Sequence, residues 1–199
     1  MVEQMIEGRS WFGPAAEAII AVFREVPDDR LDAPTPCSGW DVRTAVNHVI
    51  FWNGRAADAA AKAKPDPAGP PEDHDFTAEP GWADRFAEQA AVSARAWQAP
   101  DAWTGNTSLS GAEPGMPATM IGSMMVGEWV LHAWDVATAL GLELEVAPGL
   151  VEYCYDGLSA IAEMGRQHGA FGPEVAVPED APLLDRTIGL SGRDPHWKP

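Results

Sequence analysis

The prolines of this chain fall in bunches, and the bunches divide it into segments that suit helices. Residues 64–80 hold Pro65, Pro67, Pro70, Pro71 and Pro80 among scattered acids. A proline removes a backbone donor and fixes φ, so no regular element runs through them. Pro27 with Asp28 and Asp29 makes an earlier break, followed by the turn-rich stretch Asp32-Ala33-Pro34-Thr35-Pro36. Pro100, Pro114 and Pro117, with Gly105, Gly111 and Gly115, make a later one. Between the breaks, apolar residues recur at the three-and-four spacing of amphipathic helices.

This spacing predicts a first helix over residues 10–26, with Phe12, Ala16, Ile19, Ile20 and Phe23 inward. A second covers 39–63, opened by a capping-box-like Ser38 and Asp41. A third runs over 82–97, and a fourth over 118–140 with Gly141 as its stop. A fifth covers 148–167, with Leu150, Tyr153, Cys154, Leu158, Ile161 and Met164 inward. Residues 100–117 admit a brief extended piece around Thr107-Ser108-Leu109-Ser110 but no sheet. Residues from about 170 to 199 are expected to wrap the bundle as an irregular tail. The expected fold is all-α: one domain over residues 1–199, a four-helix bundle with an extra helix or irregular C-terminal tail.

Charge narrows the function classes. A net charge of −17, from 13 basic and 30 acidic residues, repels phosphate backbones and anionic lipid headgroups, which argues against nucleic-acid and membrane partners. No segment approaches the roughly 18 consecutive apolar residues of a membrane span. The start, Met1 to Gly8, lacks the basic-then-apolar order of a secretion signal, so a cytoplasmic location is expected. Two cysteines, Cys37 and Cys154, are too few for a disulfide framework. Glycine-rich phosphate loops, Cys-x-x-Cys and Gly-x-Ser-x-Gly are missing, which removes the main support for nucleotide-dependent and serine-hydrolase readings. The nine tryptophans read as filler between helices before they read as pocket lining.

The fourth helix carries the chemistry. Its inward stripe is Ile121, Met125, Glu128, His132, then Asp135 or Val136, and Ala139, so polar groups interrupt an apolar face and need partners. A four-residue step turns a helix by about 400°, which places Glu128 and His132 on one face, close enough to grip one ion. His48, near the middle of the second helix, would complete two histidines and one carboxylate, leaving a position open as in catalytic zinc sites. The spacing serves a solvated ion pair equally, and His48 serves equally as a hydrogen-bonded core histidine.

Phe51 and Trp52 add an apolar wall beside His48, and Arg55 is either a holder of an anionic substrate group or a solvated surface residue. Asp135 is a fourth ligand, an acceptor orienting a histidine ring, or an exposed acid. Trp52 and Trp129 are candidate pocket walls. Cys37, just before a helix, is either an activated nucleophile or a small buried hydrophobe. His74, His168 and His196 read as surface residues.

Thr35-Pro36-Cys37-Ser38-Gly39-Trp40-Asp41-Val42-Arg43 leads to Asn47-His48-Val49, and Glu128-x-x-x-His132-Ala133-Trp134-Asp135 follows about eighty residues later. Together these segments resemble the mycothiol-dependent maleylpyruvate isomerase N-terminal domain group of the DinB-like superfamily, over almost the whole chain. The tail from Phe171-Gly172-Pro173 to Ser191-Gly192-Arg193-Asp194-Pro195-His196-Trp197 is similar to a single-domain actinobacterial branch known mainly for metal binding. The resemblance implies a DinB-like four-helix bundle, often a homodimer, with a divalent metal held by His48, Glu128 and His132. Zinc is the usual ion, and nickel, iron or manganese suit the same donors.

The resemblance also implies a low-molecular-weight thiol such as mycothiol, stabilised as thiolate for attack on a small electrophile. The expected function is a metal-dependent thiol S-transferase or isomerase-like enzyme. A hydrolase or lyase using metal hydroxide without thiol is the first alternative, and a non-catalytic metal-binding or interaction bundle the second. The isomerase of that group is expected to carry an additional C-terminal domain that begins about where this chain stops, so maleylpyruvate is not carried over as substrate.

Overall fold

The computed structural model of the protein describes residues 2–199, with side chains from Gly8 onward. Of the stretch Met1–Gly8 used for the secretion-signal reading, Met1 and the side chains of residues 2–7 therefore lie outside what is described. The elements are α1 (Val2–Arg24), α2 (Val42–Ala60), α3 (Trp82–Ala96), β1 (Asn106–Thr107), β2 (Met116–Pro117), α4 (Ala118–Leu140), α5 (Pro148–Gln167) and α6 (Leu183–Leu190). α1 packs on α3 and α4, and α2 packs on the same two, so the four close into a bundle in the spatial order α1-α3-α2-α4. α5 lies outside against α4 and α1, and α6 rests on α5. No helix among the described residues is long and apolar enough to cross a membrane.

α4 is the hub. It is enclosed by α1, α2 and α5, and from Trp129 to Ala137 every residue is buried. Phe12 of α1 stacks on Trp97 at 5.3 Å and meets Trp103 and Trp129 edge-on at 6.2 and 5.0 Å. Such pairs add about 0.5–1.5 kcal/mol beyond burial. The indole N–H groups of Trp97 and Trp103 donate to the carbonyls of Ala56 and Trp97, so most of the tryptophan content is core, as expected.

The helix boundaries follow the proline and glycine breaks closely for α3, α4 and α5 and differ elsewhere for identifiable reasons. α1 begins well before residue 10 and runs through Pro14, because Gly8 fits directly against Trp103 and Tyr153 and extends the packed surface. α2 starts at Val42 and its cap is Asp41 itself, whose carboxylate accepts from the Thr44 amide at 2.8 Å. Ser38 belongs to the preceding turn, which Gly39 enters at φ +81° and which hydrogen bonds from Thr35 to the Trp40 carbonyl close.

The 64–80 loop contains one 3₁₀ turn at Phe76–Ala78, held by Asn47, which accepts from the Phe76 amide and donates to Asp75. Residues 100–117 do form a ladder, though a minimal one: β1 and β2 pair antiparallel over two residues each, and Thr107 donates to the Ala59 carbonyl at the end of α2. The inward face of α5 rotates in its second half, where Ala162 and Gly165 are buried while Met164 is exposed. Phe171 packs on Gly165 and takes the place a larger side chain would fill.

The tail is not irregular throughout. α6 occupies residues 183–190 and sets Ile188 against Leu131 and Trp134 of α4. Its apolar spacing was hidden among prolines, and what draws it in is a contact with α4 more than fifty residues earlier in the chain.

Gly122 marks where α4 approaches the tryptophan cluster most tightly, since a Cβ there would lie 2.6 Å from Trp103 and 2.8 Å from Trp97. Gly122→Ala should therefore lose roughly 1–3 kcal/mol of stability despite its better helix propensity. Urea denaturation is the check, and a stabilised variant would show that the cluster yields freely.

Candidate metal centre

α2 and α4 bring His48, Glu128 and His132 together. Their ligand atoms all lie within 4.8 Å of one another, and among the described residues this is the one cluster of three such groups. Glu128 Oε2 is 3.4 Å from His48 Nε2 and 3.2 Å from His132 Nε2. A divalent ion bound at about 2.1 Å in tetrahedral geometry separates its donors by roughly 3.4 Å, so these two spacings fit an ion. His132 is buried, while His48 and Glu128 keep side-chain exposures of 25 and 34% and form the open side.

Asp135 fixes the His132 ring. It is an acceptor, so the 2.9 Å contact between His132 Nδ1 and Asp135 Oδ2 places a proton on Nδ1 and leaves Nε2 facing Glu128. Asp135 is fully buried and is itself paired with Arg193, whose Nε and Nη2 donate to its two oxygens at 2.8 and 2.9 Å. Of the three readings the sequence left for Asp135, the geometry selects the orienting acceptor.

The charges reinforce one another. Burial alone would push the His132 imidazolium down, but hydrogen bonds to Asp135 and Glu128 outweigh it and lift its pKa to about 9. Burial would likewise raise Glu128, yet the hydrogen bonds from His132 and His48 hold it well below the usual carboxylate range. A proton on Nε2 thus lies between imidazole and carboxylate, the position that a bound cation would take.

Trp40 is a neighbour that helical periodicity did not reveal. Its ring stacks on His132 at 5.5 Å and 7° and leans on His48 at 4.8 Å. The turn before α2 places it there, and the only sequence signal was its position inside the Thr35–Arg43 segment. Trp52 stands edge-on to His48 at 6.4 Å.

Trp129 and Arg55 are corrected, and Cys37 keeps the plainer of its two readings. Trp129 is fully buried in the bundle core against Phe12, because its place on α4 points toward α1. Arg55 lies over Phe51 and lines a separate hollow of about 140 Å³ that includes none of the three donors. Cys37 is no activated nucleophile: burial raises its thiol to about 11 despite the nearby Arg193 charge. Cys154 is raised to about 12 by burial. His74, His168 and His196 lie away from the three donors; His74 pairs with Glu79, and the other two are exposed.

Residues 12–137, more than half of the chain, match the family model of the mycothiol maleylpyruvate isomerase N-terminal domain. The chain belongs to this family. Two uncharacterized proteins from strains of Mycobacterium tuberculosis are each 27% identical to it over 181 residues, covering 90% of this chain and 93% of theirs. Among solved structures, this member of the mycothiol maleylpyruvate isomerase N-terminal domain family is similar to a mycothiol-dependent maleylpyruvate isomerase, with a TM-score of 0.60 at 17% identity. A histidine-to-alanine mutant of that isomerase gives a TM-score of 0.62.

The fold is thus the all-α DinB-like bundle. The superposition covers 96% of this chain and 90% of the isomerase chain. The expectation that this chain stops where the isomerase's C-terminal part begins is corrected, since 90% of that solved chain has a counterpart here.

Removing Arg193 would strand Asp135. Arg193→Met should cost roughly 3 kcal/mol, and adding Asp135→Asn should recover much of the loss, because breaking a buried pair costs more than replacing both partners. A denaturation double-mutant cycle reads this; a loss below about 1 kcal/mol would mean that His132 alone neutralises Asp135.

Proposed function

We propose that this protein is a divalent-metal enzyme of thiol chemistry, transferring a low-molecular-weight thiol of the mycothiol type to a small electrophile or isomerising the electrophile through such an adduct. The observation that carries this reading is the convergence of His48, Glu128 and His132 within 4.8 Å, with the His132 tautomer held by Asp135. Membership of the mycothiol maleylpyruvate isomerase N-terminal domain family supports the thiol.

His48, Glu128 and His132 would hold the ion, with zinc as the proposed metal. A bound divalent ion supplies positive charge that stabilises a thiolate near neutral pH. The chain's own residues do the rest. Asp135 keeps a proton on His132 Nδ1, so the proton that an ion would displace is the one on Nε2, whose lone pair then faces the site. Trp40 covers one face of the His132 ring and shields it from water. Burial raises the Cys37 thiol to about 11 and the Cys154 thiol to about 12, which favours a co-substrate as the source of the reacting sulfur. Arg193, in the segment after α6, binds Asp135 and so ties that segment to the residue that orients His132.

Dialysed protein should contain about one divalent ion per chain by elemental analysis, and His48→Ala, Glu128→Ala and His132→Ala should each lose most of it. Turnover of an electrophile such as 1-chloro-2,4-dinitrobenzene should require both thiol and ion, and stop on chelation. Metal content indifferent to all three substitutions sinks the site. Thiol-independent hydrolysis would move the assignment to a metal-dependent hydrolase, and metal without turnover to a binding protein.

A further inference from the structure

Glu128 borders two spaces. One holds the two histidines, and the other is a cavity of about 580 Å³ between α4 and α5. That volume falls within the roughly 300–1,000 Å³ of small-molecule sites. Met116, Met120, Met124 and Met164 line it. Methionine is unbranched and polarizable, and adapts to ligands of differing outline. No lysine or arginine is among the lining residues, and Arg193 beyond them is already bound to Asp135. The one imidazole on the lining, His168, is exposed, and the walls are otherwise mostly apolar, so the cavity suits an uncharged hydrocarbon group.

Two glycines keep this space open. Gly127 of α4 and Gly157 of α5 both line it, and neither has the positive φ that glycine alone tolerates well. A Cβ on Gly127 would meet nothing within 4 Å, and one on Gly157 only Ser123 Cβ at 3.9 Å. Glycine is the poorest helix former after proline, so two of them inside helices, required by neither backbone nor packing, are locally unfavourable. Gly122 and Gly165, by contrast, are filled by tryptophan and phenylalanine rings. What Gly127 and Gly157 contribute is room beside Glu128. A second copy of the chain is a poorer occupant: the described large hydrophobics left exposed are Val92 and Met164, and only Met164 borders the cavity.

We propose that the cavity receives the hydrocarbon part of a neutral, largely apolar electrophile whose reactive carbon lies at the Glu128 end. This assignment rests on the reading of the His48, Glu128 and His132 cluster as a site of thiol chemistry. For a conjugated ketone the step balances without further reactants. The thiol sulfur bonds to the β-carbon, the C=C electron pair shifts to the carbonyl oxygen, and the proton released by the thiol returns to the α-carbon.

Binding is testable without turnover, using saturated 2-alkanones from 2-butanone to 2-nonanone and the full chain with ¹³C-methyl-labelled methionine. The methyl signals of Met120, Met124 and Met164 should shift on titration, and affinity should tighten about fourfold per added methylene. With the ion removed by chelator, octanoate at pH 7 should bind at least tenfold more weakly than 2-octanone, since a divalent ion beside Glu128 would itself attract a carboxylate. Gly157→Leu and Gly127→Leu, which place side chains in the space, should keep the fold and metal content and lose the chain-length dependence.

A flat dependence in the wild-type protein, equal binding of octanoate to the chelator-treated protein, or an unchanged slope in both variants overturns the proposal. So does self-association in sedimentation that blocks alkanone binding and disappears in Gly157→Leu. An intact slope with no thiol turnover counts against the proposed function alone. Metal and thiol turnover without a slope count against the cavity alone.

Discussion

Asp135 has no contact with water, and a carboxylate in that position persists only when its charge is met on every side. Arg193 meets both oxygens and His132 meets one of them. Three features follow from that single requirement. The tail is anchored to α4, the His132 ring is fixed by its Nδ1 proton, and Nε2 is left facing Glu128. Without the buried acid, the ring would be free to turn on its side chain and the three donors would have no common focus.

Local rules made much of this architecture legible in advance. Prolines and glycines mark loop boundaries because they act through their own backbone, so α3, α4 and α5 lie within a residue of their expected limits. The grouping of His48, Glu128 and His132 was legible through the resemblance carried by the segments around them, since the spacing alone suited a solvated ion pair and a core histidine. Trp40, Arg193 and α6 were not, since each acquires its role from a partner distant in sequence; Arg193 and Asp135 are 58 residues apart. The same cause misplaced Trp129 and Arg55: helical spacing ranks a side chain as inward or outward, and it does not say which neighbouring helix that side meets. Asn47, near His48 in the sequence, proves to hold a loop through Phe76 and Asp75.

The reach of the family match and that of the fold differ in an informative way. Residues 12–137 contain His48, Glu128, His132 and Asp135 but stop well short of Arg193. The fold likeness to the solved isomerase extends over nearly the entire chain. The donor set belongs to the shared stretch, whereas the countercharge that steadies it comes from the segment beyond.

Synthesis on the ribosome runs from one end to the other, and the Asp135–Arg193 pair spans 58 residues of that journey. At about 5–20 residues per second, the acid leaves the tunnel roughly 3–12 seconds before the arginine that neutralises it. During that interval α4 cannot take its final buried position without burying a charge that only His132 offsets. Until the tail arrives, the carboxylate that holds the His132 ring has only that ring to answer its charge.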